Sequence, residues 1–167
     1  MKDIAIIMGS DSDLPVMSEA CKILEELDIG FDVDIVSAHR TPQKLFDFAK
    51  KAHENYKIII AGAGGAAHLP GMVASITHLP VIGVPIRSSS LNGVDSLHSI
   101  VQMPRGVPVA TMAINGSTNA ALFAARIIAL NNPIINENLQ NYISNLEQTV
   151  AKKSKKLDDI GYIRYLE

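Results

Sequence analysis

The fold is decided by the stretch FDVDIVSAHRTP, residues 31–42. Apolar and acidic side chains alternate from Phe31, and the apolar run closes at Val36, which predicts a β-strand. Pro42 then opens an amphipathic run of helical period. A strand followed directly by a helix predicts a βα unit, with residues 37–41 at the carboxyl edge of a sheet. Ligands bind at that edge in open α/β sheets.

The same strand–loop–helix order repeats along the chain. The predicted strands are Ile4–Met8, Phe31–Val36, Ile58–Ile60, Val81–Val84 and Val107–Ala113. Helical runs separate them, and right-handed crossovers then give a parallel sheet covered on both faces. We predict an α/β protein, a three-layer α/β/α sandwich with a flavodoxin-like five-stranded sheet of order 2-1-3-4-5.

The whole chain, residues 1–167, is expected to form a single domain with a core of residues 1–131. An extra C-terminal helix, 133–158, is left over and is expected to pack on neighbouring subunits. The run STNAALFAARIIAL, residues 117–130, has almost no polar face. A helix that is apolar all round must be buried on all sides, so this run also predicts an oligomer contact.

Composition excludes several classes of function. With 15 basic and 17 acidic residues the chain is nearly neutral, which gives no support for binding nucleic acid or an anionic membrane. The N-terminal apolar run is too short for a signal peptide, and no run approaches the ~18 apolar residues of a membrane span. The single cysteine, Cys21, is predicted to be a buried thiol, and a cytoplasmic location fits it.

Three loops are expected to share the carboxyl edge of the sheet: residues 9–13, 37–42 and 62–71. In the order 2-1-3 their strands are neighbours, so their polar side chains can converge. The pattern Gly62-x-Gly64-x-x-Ala67 matches a dinucleotide-binding fingerprint. It follows the third strand rather than the first, and no acidic residue ends the fourth strand to hold a ribose, so we reject a nicotinamide site.

The composition of these loops favours a phosphorylated sugar. Serine hydroxyls and helix N-termini receive phosphate, and Arg40 can clamp it bidentately. Asp13 can accept hydrogen bonds from ribose hydroxyls. Helix capping by Ser10 and Asp13 is an equally good explanation of those two residues.

Of the five histidines, His39 is the strongest candidate for chemistry. It lies in the loop beside Arg40, where a general acid/base role and a structural one are equally supported. His68 follows the glycine-rich loop and could simply cap a helix. The other three, His53, His78 and His98, are predicted to be structural or exposed. No metal-ligand spacing, Walker loop or serine-hydrolase elbow is present.

Taken together, several longer motifs resemble one family. They are Met8–Asp13, Ser37–Pro42, Ala61–Met72, Leu91–Leu97, Ser99–Gly106 and Asn119–Leu122, in order across residues 4 to about 130. The sequence resembles the class I N5-carboxyaminoimidazole ribonucleotide mutases of purine biosynthesis. The resemblance implies a homo-octamer with sites at subunit contacts, and a reaction without metal or cofactor.

In that family the carboxylate on the exocyclic nitrogen of the imidazole ribonucleotide moves to ring carbon C4, by decarboxylation and recarboxylation. The resemblance implies that His39 is the acid/base and that Ser10, Asp13 and Arg40 bind substrate. His68 and the glycine-rich loop would line the base and CO2 pocket. The full set of predicted site residues comprises catalytic His39 and His68, and substrate-binding Ser10, Ser12, Asp13, Ser37, Arg40, Gly64 and Gly65.

Three alternatives stay open from the sequence. The related class II carboxylase would use aminoimidazole ribonucleotide and CO2 directly. A non-catalytic flavodoxin-like module would bind a phosphoribosyl ligand without chemistry, although a titratable His39 would then have no purpose. A flavoprotein is less well supported, because the ligand loops lack aromatic residues to stack on a flavin.

Overall fold

A computed structural model describes residues 2–167. Its five-stranded sheet is parallel throughout, with the order β2-β1-β3-β4-β5. The strands are β1 (Ile4–Met8), β2 (Phe31–Ile35), β3 (Ile58–Gly64), β4 (Val81–Ile86) and β5 (Ala110–Thr111). The helices are α1 (Leu14–Glu26), α2 (Pro42–Lys51), α3 (Leu69–Ile76), α4 (Val94–Val101), α5 (Ser117–Ala129) and α6 (Pro133–Tyr165). The predicted fold and strand order are confirmed.

Two apolar cores lie on the two faces of the sheet. Even-numbered residues of β1, such as Ile4 and Ile6, pack with α1, α5 and the first turns of α6. Odd-numbered residues, such as Ala5 and Ile7, pack beneath α2, α3 and α4. Side chains alternate across a strand, so a strand buried on both faces must be apolar at every position, as β1 is.

β3 is longer than predicted, because it includes residues first assigned to the glycine-rich loop. Gly62 pairs with Met8, and Gly64 pairs with Ile86. A Cβ on Gly62 would collide with the sulfur of Met17 in α1. The glycine therefore allows α1 to approach the sheet closely.

β4 continues through Pro85 to Ile86 instead of ending before the proline. The Pro85 carbonyl accepts a hydrogen bond from the Asn115 amide, which lies beyond the end of β5. In a β-strand the N–H and C=O of one residue point to the same side. The nitrogen of Pro85 therefore faces the side where β5 has already ended, and no strand loses a hydrogen bond through the missing N–H. β5 itself shrinks to Ala110–Thr111, because it is an edge strand and Pro108 can donate nothing to the ladder.

At four places the helix boundaries and N-cap residues of the structure differ from what the sequence predicts. Asp13, Thr41 and Asp95 are residue types that favour the N-cap position. Asp13 and Thr41 stand at N-cap positions but make no side-chain capping bond, and Asp95 lies inside α4. α6 continues to Tyr165, past the expected end near 158, with a non-helical residue at Gly161. The three polar side chains instead bond to Ser10, Ser37 and Ser88 respectively, and helix-capping propensity alone does not specify these partners.

α5 is buried within this chain to a larger extent than expected. Its small residues Ala120, Ala121, Ala124 and Ala125 are fully buried against α1 and the sheet. Alanine side chains let two helices approach closely, so a small protein can cover this face by itself. Cys21, on α1, is half-buried rather than fully buried. No helix within residues 2–167 is long and apolar enough to cross a membrane.

Candidate active site

The carboxyl ends of β1, β2, β3 and β4 surround one cavity of about 430 Å³. This volume lies within the usual range for small-molecule sites. The cavity lies at the point where the strand order reverses, as expected for an open α/β sheet. All nine predicted site residues line it: Ser10, Ser12, Asp13, Ser37, His39, Arg40, Gly64, Gly65 and His68.

The loop after β1 is a tight polar turn. Residues 11–13 form a 3₁₀ turn, in which the Ser10 amide donates to Asp13 Oδ2 at 3.1 Å and the Ser12 amide donates to Ser10 Oγ at 3.4 Å. Asp13 is only 7% exposed. Burial raises the pKa of its carboxyl, against the amides of Ser10 and Gly9 and the charge of Arg40, which lower it.

The loop after β2 is held by its own side chains. Thr41 Oγ1 accepts from the Ser37 amide and donates to the Ser37 carbonyl, both at 3.0 Å. Arg40 Nε donates to Ser37 Oγ at 3.2 Å, and Arg40 Nη2 donates to the Gly9 carbonyl at 2.9 Å. Arg40 thus joins the β2 and β1 loops and still reaches the cavity.

His39 and His68 form a direct hydrogen bond across the cavity. Their Nε2 and Nδ1 atoms are 2.8 Å apart, and the rings meet edge to face with centroids 4.9 Å apart. One nitrogen must donate and the other accept, so the bond is lost if both rings carry a proton there. The pair therefore shares one proton between two imidazoles that come from different loops.

The glycine-rich end of β3 is held in place by a buried serine of α4. The Gly65 amide donates to Ser96 Oγ at 2.8 Å, and that hydroxyl donates to the Ile86 carbonyl at 2.6 Å. Gly65 has a φ of +67°, a conformation that favours glycine. Ser96 is fully buried and joins the ends of β3 and β4.

The loop after β4 forms a further wall that the sequence did not single out. Arg87, Ser88, Ser89, Ser90 and Asp95 all line the cavity. Ser88 Oγ donates to Asp95 Oδ1 at 2.6 Å, a bond that holds the Asp95 pKa below its usual value. The signal was present, because a serine-rich loop with an arginine follows a strand of the same parallel sheet.

The remaining histidines lie outside the cavity. His53 follows α2 and His78 follows α3, with ring centroids 5.2 Å apart, while His98 is exposed on α4. Across residues 2–167, no three or more of the His, Cys, Asp and Glu side chains are grouped to hold a metal ion.

Fold and cavity define a class: a flavodoxin-like α/β protein with a polar small-molecule site at the switch point of its sheet, containing a histidine pair. The family follows from sequence. Residues 3–149 match the model of the AIR carboxylase family, and the chain belongs to that family.

Proteins of similar sequence align with nearly the full length of this chain. The chain is 58% identical to N5-carboxyaminoimidazole ribonucleotide mutase of Thermotoga maritima, covering 99% of this chain and 98% of that protein. The mutase of Pyrococcus horikoshii is 57% identical, covering 98% and 93%. Phosphoribosylaminoimidazole carboxylase of Saccharomyces cerevisiae is 58% identical over 98% of this chain, which spans 29% of that longer protein.

Solved structures share the fold. A crystal structure of Treponema denticola PurE superposes with a TM-score of 0.85 at 29% sequence identity, covering 94% of this chain and 99% of that one. The resemblance inferred from the motifs is thereby confirmed at the level of the family.

Proposed function

We propose that the protein is an enzyme of purine biosynthesis, an N5-carboxyaminoimidazole ribonucleotide mutase. It converts 5-carboxyamino-1-(5-phosphoribosyl)imidazole to 5-amino-1-(5-phosphoribosyl)imidazole-4-carboxylate on the route to IMP. The observation that carries the proposal is the 58% identity to a mutase over 99% of the chain. The cavity adds independent support, since it combines a histidine pair, arginines and hydroxyls around a nucleotide-sized space.

The phosphoribosyl part of the substrate binds to the β1 and β2 loops. Arg40 and the hydroxyls of Ser10, Ser12 and Ser37 receive the phosphate, because a guanidinium and hydroxyl donors bind its oxygens well. Asp13 accepts from ribose hydroxyls. Gly64 and Gly65 let the imidazole lie against the backbone, since neither carries a side chain.

His39 acts as acid and then as base. The bond between N5 and its carboxylate carbon breaks, CO2 leaves, and the electron pair remains on N5, which takes a proton from protonated His39. The electron-rich C4 then attacks the carbon of CO2, and neutral His39 removes the C4 proton. The proton count balances, so His39 ends as it began.

His68 is proposed to work with His39 by holding its ring. The 2.8 Å bond fixes which nitrogen of each ring carries hydrogen and keeps the other nitrogen of His39 available for substrate. Neither step needs an oxidant, a reductant or a metal, because the N-carboxylate loses CO2 readily and the aminoimidazole ring is itself nucleophilic at C4.

Retention of CO2 requires an enclosed pocket. In a single chain His39 and Arg40 are exposed to solvent. We therefore include in the proposal a cytoplasmic homo-octamer, in which neighbouring subunits cover this edge and the C-terminal helix packs on another copy. The whole of residues 1–167 is proposed to act as one domain.

An assay of purified protein tests the function. Conversion of the N5-carboxylated nucleotide to the 4-carboxylated one, faster than its spontaneous loss of CO2, is the expected result. Preference for aminoimidazole ribonucleotide with CO2 would instead make the protein a class II carboxylase. Binding of these nucleotides without any turnover would identify a binding module.

A further inference from the structure

Two arginines line the cavity, and the loops that carry them lie on opposite sides of it. Arg40 follows β2, and Arg87 follows β4. The strand order places β1 and β3 between them. Three strand spacings separate the two loops, roughly 14 Å.

The two guanidinium groups differ in how the chain uses them. Arg40 donates hydrogen bonds from Nε to Ser37 Oγ and from Nη2 to the Gly9 carbonyl. Arg87 makes one side-chain hydrogen bond within residues 2–167, from Nη2 to Asn92 Oδ1 at 3.0 Å. No carboxylate within the same residues lies in ion-pair distance of Arg87. Most of its five N–H donors therefore remain available to a ligand.

The backbone around Arg87 is held firmly. Its amide donates to Asn115 Oδ1 at 2.8 Å, and Ser88 Oγ, bonded to Asp95, accepts from the amides of Leu91 and Gly93 at 3.3 Å. A cation presented from a braced loop loses little conformational entropy on binding an anion. Ser89 and Ser90, beside it, add hydroxyl donors to the same wall.

The proposed substrate carries two anions, a 5′-phosphate at one end and a carboxylate on the imidazole side. The β1 and β2 loops provide a guanidinium, serines and a 3₁₀ turn for the phosphate. With the phosphate there, the carboxylated base extends along the cavity toward β3 and β4. Charge complementarity then pairs the Arg87 guanidinium with the carboxylate of the substrate.

We propose that Arg87, with the hydroxyls of Ser89 and Ser90, forms the carboxylate subsite. Resting on the proposed function, this assignment names the residues that distinguish carboxylated nucleotides from aminoimidazole ribonucleotide. Arg87 binds the carboxylate of substrate and product. The site therefore binds these carboxylated nucleotides more tightly than it binds aminoimidazole ribonucleotide, which has no carboxylate.

The experiment compares two ligands, the 4-carboxylated product and aminoimidazole ribonucleotide, by calorimetric titration of full-length protein. Arg87→Gln is expected to weaken binding of the carboxylated nucleotide about 10- to 100-fold, and binding of the other less than twofold. Arg87→Lys keeps the charge but loses the paired N–H donors of the guanidinium. Its affinity for the carboxylated nucleotide is expected to lie between those of wild type and Arg87→Gln. Arg40→Gln is expected to weaken both ligands equally. Lys51→Gln, which removes an exposed cation on α2 away from the cavity, serves as the control and should affect neither.

Equal loss of both ligands in Arg87→Gln, or no loss of either, overturns the carboxylate subsite. Selective loss of the carboxylated ligand in Arg40→Gln would also overturn it, because the two arginines would then have exchanged roles. Wild-type protein separates this inference from the proposed function. If wild type fails to convert the N5-carboxylated nucleotide, the proposed function fails, whereas wild-type activity with an unselective Arg87 effect refutes only the subsite.

Discussion

At the scale of single residues, the site depends on side chains that hold the loops in place as well as line the cavity. Arg40 illustrates this: it lines the cavity and its Nη2 donates to the Gly9 carbonyl of the β1 loop. Ser10 both starts a 3₁₀ turn and faces the cavity. For a serine such as Ser10, capping and ligand binding are not exclusive explanations, because one oxygen has two lone pairs.

The histidine pair gives the sharpest test at this scale. His39→Asn is expected to reduce turnover by 10²-fold or more, because an amide cannot carry the proton between N5 and C4. Binding of aminoimidazole ribonucleotide should change only a few-fold, since the phosphoribosyl contacts remain. Steady-state rates and titration of the same preparation measure both quantities.

The matched control is His53→Asn, which alters the other close histidine pair, away from the cavity. It should leave turnover within twofold of wild type. Turnover of His39→Asn at more than a tenth of the wild-type rate would exclude His39 as the acid/base. His68→Asn, which breaks the 2.8 Å bond, should lower the rate less than His39→Asn does.

At the scale of elements, the strands position the loops and α4 holds them in place. Ser96 joins the ends of β3 and β4 through hydrogen bonds of 2.8 and 2.6 Å. Ser99, one turn later, donates to the Asp95 carbonyl at 2.7 Å and also approaches the Gly65 carbonyl at 3.3 Å. The conformation of Gly65 therefore depends on a helix about thirty residues further along the chain.

Ser96→Ala should destabilise the protein by about 1–3 kcal/mol, because it removes the partner of the half-buried Gly65 amide and of the buried Ile86 carbonyl. It should also raise the KM for substrate, since Gly65 lines the cavity. Urea denaturation and steady-state kinetics measure the two effects.

Ser75→Ala is the control for this change, because Ser75 is an exposed helical serine that donates to a carbonyl of its own helix. Its effect should stay within about 0.5 kcal/mol. A Ser96→Ala variant with wild-type stability would show that water replaces the hydroxyl and that the bridge is dispensable.

At the scale of the whole molecule, one chain leaves apolar surface uncovered. Val33 and Ile35 of the edge strand β2 are nearly half exposed. Along α6, Ile135 and Leu139 reach the core, but Leu146 is 51% exposed and Val150 is 65% exposed. Only the first three turns of α6, through Tyr142, therefore find an apolar partner within the chain.

The proposed octamer is tested by sedimentation. Wild-type protein should sediment as an assembly at micromolar concentration, and Leu146→Glu combined with Val150→Glu should reduce its mass, because buried carboxylates are costly. Gln148→Glu, an added charge between those positions on α6, should not reduce it. A wild-type monomer would refute both the assembly and the packing of the C-terminal helix on a neighbour.

Much of this architecture was predictable because it follows from local periodicity. Apolar runs marked β1, β3 and β4, and helical spacing marked α1, α2 and α6. Parallel connections then constrained the sheet order. The errors lie where hydrogen-bond partners from other parts of the chain set the bounds of an element. They are Pro85 inside β4, the two-residue β5 and the start of α4.

For the site, sequence supplied nine lining residues but neither the histidine bond nor the loop after β4. His39 and His68 are twenty-nine positions apart, and nothing in their spacing indicates a 2.8 Å contact. Arg87 belongs to none of the short motifs, and its place in the cavity follows from the position of β4 in the predicted strand order.

The sequence by itself determined the element types, the sheet order and the edge at which ligands bind, because these depend on side-chain period and chain direction. Its motifs also identified the family. Only the tertiary structure decided which side chains of these loops bond to one another, since that depends on contacts between residues far apart in sequence. It joined the FDVDIVSAHRTP stretch to β1 through Arg40 and to the β3 loop through His68. It also placed a second arginine on the opposite wall, an arrangement fixed by packing of the sheet and not by any local pattern.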